Sequence, residues 1–290
     1  MRCIHWIFLC YLSLFTFGCS VNEPEESLDS FRKAKIRILA IGNSFTENAT
    51  LYLPNILENL YPNNEVLFCK LTKGGTALKD HYSNILSNKN EYNYSFANDG
   101  VWNPLGRKSL KSILNSEDWD FVIIQQLSGY SGDFTTYQPY LNNIINTIRE
   151  YNESVHIGWQ MTWAYSHDST HPDFSRYNHD SKFMYEKILE TLESVKPYVD
   201  LIIPSGTLIE ELRETELNTA HDLTADGYHL VPGLPCYAIS CLWHEIILSP
   251  LTFRSSLGTG VTSNISDFTI TDYNSGIIFS LIEKCIQLNH

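Results

Sequence analysis

The chain has 290 residues, of which 43% are hydrophobic and 13% aromatic, and it carries a formal net charge of −13. That length and apolar content suit one large domain with a buried core. The acidic balance argues against nucleic acid or an anionic membrane surface as a partner.

The N-terminus reads as an export signal. Met1-Arg2 gives a small positive start, and the apolar stretch from Ile4 to Phe17 is too short for a membrane span. It ends in Gly18-Cys19, which resembles the processing site of a bacterial lipoprotein whose cysteine becomes the lipidated first residue. The acidic run Asn22-Glu23-Pro24-Glu25-Glu26 then reads as a tether. The expected organisation is a signal segment over 1–19, a tether over 20–34 and a single domain over 35–290. A lipidated Cys19 implies attachment at the bacterial outer membrane or cell surface. An ordinary signal cut nearby would place the chain in the periplasm instead. Cys69, Cys236, Cys241 and Cys285 have neither CxxC nor zinc spacing, and the sequence chooses no disulfide among them.

Ile36, Ile38, Leu39, Ala40 and Ile41 form an apolar run that predicts a central parallel strand buried on both faces. It breaks at Gly42-Asn43-Ser44 into a helical pattern through Leu51, Leu53, Ile56, Leu57 and Leu60. A second strand is expected at Val66 to Leu71, ending in Thr72-Lys73-Gly74-Gly75, with a helix over Thr76 to Leu86. Tyr92 to Phe96 suggests a short strand and Asn98-Asp99-Gly100 a turn. Leu105, Leu110, Ile113 and Leu114 then suggest the apolar face of a helix. Phe121 to Ile124 is the next core strand and ends in Gln125-Gln126. Further expected elements are a helix over Tyr137 to Tyr151, a strand over Val155 to Met161, a helix over Asn178 to Val195, a strand over Val199 to Pro204 and a helix over Tyr237 to Leu248. Ile277, Ile278, Leu281 and Ile282 suggest a closing helix. The alternation predicts an α/β fold, a three-layer α/β/α sandwich around a parallel sheet of about five strands.

The strand exits carry the chemistry. Ser44 leaves the first strand at the carboxyl edge of the sheet, where open α/β folds bind ligands. A plain helix cap is its alternative reading. Gly74-Gly75 can bring backbone N–H groups close to a ligand. Asp226 and His229 stand three residues apart and can point the same way. The Asp would then fix the imidazole tautomer while the other ring nitrogen takes the Ser44 proton.

Gly42-Asn43-Ser44-Phe45 and Asp226-Gly227-Tyr228-His229 together resemble the first and last blocks of the SGNH/GDSL hydrolase superfamily. The likeness is nearest to a branch common in Bacteroidetes with GNSF, a Gln pair and DGYHL. The resemblance implies a flavodoxin-like SGNH hydrolase fold with Ser44 as nucleophile and Asp226 and His229 completing the triad. It also implies an oxyanion hole built from the Ser44 amide and Gly75, with Gly74 as the alternate. The family's third block supplies an asparagine amide, and here Ile124-Gln125-Gln126-Leu127-Ser128 contains none. Gln126 is therefore expected to donate instead, with Gln125 as the alternate.

The resemblance, together with the export signal, implies a serine esterase that removes an O-acyl group, such as acetyl, from a carbohydrate or a small-molecule ester. The alternative is a non-catalytic glycan-binding lipoprotein. Trp159, Trp163, Tyr165 and His167 are candidate sugar-contacting residues past a strand exit. No cofactor or metal is expected: there is no dinucleotide fingerprint or P-loop, and His167 and His171 beside Asp168 lack a supporting ligand set.

Overall fold

The computed structural model describes residues 36–258 and 269–288. The expected signal segment, the tether and part of the polar stretch before the last helix lie outside the described residues. Five strands run parallel: β1 (Ile36–Gly42), β2 (Val66–Thr72), β5 (Phe121–Ile124), β6 (His156–Gln160) and β7 (Leu201–Ile203). An antiparallel hairpin, β3 (Tyr92–Asn98) and β4 (Val101–Lys108), extends the sheet to the order β4-β3-β2-β1-β5-β6-β7.

β1 is central because its side chains can be covered on both faces. Ile38, Leu39 and Ala40 are fully buried, and the strand pairs in parallel with β2 on one side and β5 on the other. The chain turns one way from β1 to β2 and later crosses to β5 on the other side. That reversal opens a crevice at the carboxyl end of β1, where Gly42 hands the chain to Ser44.

The helices form the outer layers. α1 (Ser44–Ala49) and α2 (Leu53–Leu60) pack with α8 (Leu234–Ile247) on one face. α3 (Leu78–Ser87) and α5 (Tyr140–Tyr151) pack together on the other, near the short α4 (Leu110–Leu114). Leu141, Ile144, Ile145 and Ile148 make the buried stripe of α5. α6 (Ser181–Val195) precedes β7. α7 (Ser205–Arg213), the single-turn α9 (Ser249–Thr252) and α10 (Asp272–Gln287) close the α8 side. Among the described residues no helix is long and apolar enough to cross a membrane.

The helix expected through Leu105 is half strand. Asp99 and Gly100 both adopt positive φ, 50° and 71°, the backbone of a tight hairpin turn. They fold residues 101–108 back on β3, so the helical pattern holds only for Leu110, Ile113 and Leu114. Pro104 is tolerated because β4 is an edge strand. Cys69, Cys236, Cys241 and Cys285 are free and buried, and burial pushes each thiol up to about 12. They behave as small apolar residues.

Candidate active site

The turn after β1 is built around Asn43. Its Oδ1 accepts from the Phe45 amide at 3.0 Å and from Gln125 Nε2 at 2.8 Å, while its Nδ2 donates to Thr76 O at 3.0 Å. Asn43 is thus the helix cap, and Ser44 becomes the first residue of α1 with its hydroxyl unspent on the backbone. Gly42 is required just before it, since a Cβ there would lie 2.1 Å from Thr46 Oγ1. Thr46 donates to Gln125 Oε1, and Gln160 Nε2 donates to Phe45 O at 3.4 Å. A buried polar floor under the Ser44 turn is thereby satisfied by residues of α1, of β6 and of the segments just after β1 and β5.

The second half arrives from the loop between α7 and α8. His229 Nε2 lies 2.7 Å from Ser44 Oγ, across 185 residues of sequence, and His229 Nδ1 lies 2.7 Å from Asp226 Oδ2. Asp226 Oδ1 also accepts from the His229 amide at 2.8 Å and the Tyr228 amide at 3.2 Å. Partial burial opposes its charge. The His229 amide and ring and the Tyr228 amide outweigh that and hold the carboxyl below its usual range. With Nδ1–H donating to this carboxylate, Nε2 is left to accept the Ser44 proton. The loop is docked on α1 by the Leu230 amide, which donates to Asn48 Oδ1 at 3.1 Å. Ser44, His229 and Asp226 are therefore brought together in one hydrogen-bonded run.

Gly75 adopts φ 66° at an exposed turn with open space above it. The turn is tied to β1 by the Lys73 amide, which donates to Gly42 O, and by Asn43 donating to Thr76 O. Among the described residues neither the Ser44 nor the Gly75 amide finds a protein acceptor.

The two glutamines are placed differently from expectation. Gln126 is fully buried and its Nε2 donates to Thr136 O and Oγ1 at 3.3 and 3.1 Å. Its Oε1 accepts from the Leu78 and Leu127 amides at 3.0 and 2.9 Å. Gln125 Nε2 donates to Asn43 Oδ1 and Gln126 O. Both amides spend both hydrogens within the protein, so neither is a donor aimed at Ser44. Gln126 pins the starts of the flanking loops and Gln125 supports the Asn43 cap. Ser128 is also buried, paired with the Tyr165 hydroxyl at 3.0 Å.

The expected sugar-contacting rings need correction as well. Trp163 and Tyr165 are 0% exposed and Trp159 is 3% exposed, so none offers a face to a ligand. Trp163 stacks on Phe45 at 4.2 Å and donates from Nε1 to Tyr228 O at 2.8 Å. It joins the Ser44 turn to the Asp226–His229 loop. The half-buried rings next to His229 are Tyr228, centred 4.2 Å away, and His171, 4.7 Å beyond Tyr228. His167 is exposed and bound to Asp222 at 2.7 Å, whereas the His171 ring faces Tyr228. His167 and His171, four residues apart, thus turn to different partners. Sequence reasoning missed Asn43, although Asn before a helical run is a cap signal. It also missed Asp222, which carries no motif.

A family model described as "Domain of unknown function (DUF4886)" matches residues 37–266. No curated protein matches the sequence. Among solved structures, a DUF4886 family protein from Bacteroides uniformis is 28% identical with a TM-score of 0.74, covering 87% of this chain and 95% of that one. A candidate SGNH hydrolase from Slackia heliotrinireducens is 19% identical with a TM-score of 0.50, covering 73% and 98%. A candidate GDSL-like lipase from Parabacteroides merdae is 12% identical with a TM-score of 0.52, covering 73% and 95%. The chain shares the SGNH hydrolase fold with these neighbours, and by its family match it belongs to the DUF4886 family.

Proposed function

We propose that the protein is a serine hydrolase of carboxylic esters that acts through an acyl-enzyme on Ser44. The observation that carries this reading is the continuous hydrogen-bonded run from Ser44 Oγ through His229 to Asp226. Ser44 Oγ attacks the ester carbonyl and His229 Nε2 takes its proton, while Asp226 stabilises the imidazolium that forms. The carbonyl oxygen becomes an oxyanion, for which the unpaired Ser44 and Gly75 amides are the available donors. As the tetrahedral species collapses, His229 returns the proton to the departing alkoxide, leaving alcohol and acyl-Ser44. Water, deprotonated by His229, then releases the acid and restores the serine.

The substrate class we favour is an O-acyl carbohydrate, an acetyl ester in the first instance. Tyr228 lies beside the residue that protonates the leaving alcohol and His171 packs on Tyr228, an arrangement that suits a ring-bearing alcohol. A release assay on acetylated and methyl-esterified polysaccharides tests the reading. Wild type should release acid or alcohol from at least one of them and Ser44→Ala should not, whereas equal release by both would remove Ser44 from the reaction. Placement at an outer membrane or cell surface through Cys19 belongs to the same reading, on the strength of Gly18-Cys19 and the acidic run after it. Cys19→Ala should free the protein from the membrane fraction or leave its signal uncut. An unmodified mature N-terminus beyond Cys19, read by mass spectrometry, would rule the anchor out.

A further inference from the structure

Three consecutive non-glycine residues just before the Asp226–His229 loop hold the left-handed backbone: His221 (φ 65°), Asp222 (φ 49°) and Leu223 (φ 66°). Left-handed backbone is uncommon outside glycine, and for a branched residue such as Leu223 it persists only where the surroundings enforce it. Here the enforcement is explicit. Asp222 Oδ2 accepts from the His167 amide at 2.9 Å and from its ring Nδ1 at 2.7 Å. Asp168 pairs in return with the His221 ring. Ser166 Oγ sits between the two carboxylates, 2.5 Å from Asp168 Oδ1 and 3.2 Å from Asp222 Oδ2, Arg213 Nε donates to Asp222 O at 3.2 Å, and Asn218 Nδ2 reaches Asp222 Oδ1 at 3.5 Å. Two loops, 166–169 and 218–223, are thus clasped by crossed His–Asp pairs. Arg213, itself paired with Glu210, faces the clasp from α7.

The clasp is wired to the catalytic pair by short steps. His221 O accepts from the Thr224 amide and hydroxyl, and Thr224 Oγ1 accepts from the Gly227 amide at 3.1 Å. The Ala225 amide donates to His229 O at 2.8 Å, and Thr224 bridges to Leu230 across the loop. On the other side the Ser166 amide donates to Gly227 O at 2.8 Å. Ser169 packs so closely on Gly227 that a Cβ there would lie 2.8 Å from its Cα. Both clasped loops therefore grip the same four-residue segment, 226–229.

We propose that Asp222 and Asp168, crossed with His167 and His221, are positioning residues that hold the left-handed run and thereby aim Asp226 and His229 at Ser44. This rests on the reading of Asp226 and His229 as the catalytic pair, but it concerns their alignment and can be measured without turnover. The variants are Asp222→Asn, Asp168→Asn and Asp222→Gly, the last because glycine adopts the same φ freely and removes the carboxylate without a backbone penalty.

Two readouts separate the claims. One is the low-field proton resonance of the His229 Nδ1–H···Asp226 hydrogen bond, assigned by its absence in His229→Gln. The other is the rate at which a fluorophosphonate labels Ser44. The positioning claim predicts loss or broadening of that resonance in Asp222→Gly while the fold survives by circular dichroism, with labelling slowed by about 10²-fold, the scale of a misplacement near 1 Å. Asp222→Glu should recover part of both. An unchanged resonance in folded Asp222→Gly and Asp168→Asn would overturn the positioning claim whether or not the protein is an esterase. A wild type that shows the resonance but labels no faster than Ser44→Ala would instead overturn the esterase reading and leave the alignment claim to stand on the resonance.

Discussion

At the scale of single residues, the polar groups around Ser44 divide into those that face the reaction and those that hold its frame. Gln126 belongs to the frame. Its carboxamide satisfies the Leu78 and Leu127 amides and reaches Thr136. Gln126→Ala should leave buried donors unpaired and cost about 1–3 kcal/mol of stability, read by urea denaturation, with kcat of the folded variant close to wild type. A collapse of kcat at unchanged stability would instead make the glutamine an oxyanion donor. Asn43 carries more, because one carboxamide caps α1, accepts from Gln125 and ties down the Gly74-Gly75 turn. Asn43→Ala should lose about 1–2 kcal/mol from the cap alone. It should also lower kcat more than it raises KM, because the Ser44 and Gly75 amides would no longer be held in register. A variant with wild-type kcat would separate Asn43 from the oxyanion site.

At the scale of elements, the packing of α1 on β1 depends on a missing side chain. Gly42→Ala brings a methyl group into contact with Thr46 Oγ1, Thr46 Cβ and Gln125 Oε1. It should destabilise the protein by about 1–3 kcal/mol through overpacking. Thr46→Ala removes the closest of these atoms, Oγ1 at 2.1 Å, so the double variant should be more stable than the sum of the two single losses, as expected for residues in contact. Simple additivity in melting experiments would show that the two do not touch.

The same scale shows what the sequence made legible. β1, β2 and β5 were readable because a strand covered on both faces needs a continuous apolar run. Asp226 and His229 were readable because three-residue spacing puts two side chains on one side of a turn. β4 was not, because Leu105 in a strand and Leu110, Ile113 and Leu114 in a helix happen to share a helical spacing. Trp163 and Tyr165 were misread as exposed because two of the residues that cover them, Phe45 and Tyr228, come from distant parts of the chain. The left-handed run at 221–223 left no trace, since the partners that hold it through the His221 and Asp222 side chains, Asp168 and His167, lie 53 and 55 residues away in sequence.

At the scale of the whole molecule, stability should depend on pH through the clasp between the 166–169 and 218–223 loops. Partial burial works against the Asp222 charge, but the His167 amide and ring and Arg213 outweigh it and hold the carboxyl down at about 2. A depressed carboxyl contributes stability that is present above its usual 3.8 and lost as pH falls through the folded value. The hydrogen bond and charge of Asp222 raise His167 above its usual 6.5. A raised imidazole contributes stability that is fully present below 6.5 and lost as pH rises through the folded value. The pair should therefore help most between those usual values of 3.8 and 6.5. His167 is well exposed, so solvent screening keeps the effect small. The difference in melting temperature between wild type and Asp222→Asn should peak in that window and shrink on both sides. A difference that does not vary with pH would mean the pair acts by packing and not by charge.

The central claim, that Ser44 carries the acyl group, is tested most directly by trapping it. The wild-type protein is mixed with an activated acetyl ester, quenched in acid within the first turnover, and digested for mass spectrometry. One acetyl group is expected on the peptide that contains Ser44, with no adduct in Ser44→Ala and a slower-forming adduct in Asp226→Asn. Ester hydrolysis that proceeds with Ser44 unmodified, or at the same rate in Ser44→Ala, would contradict it.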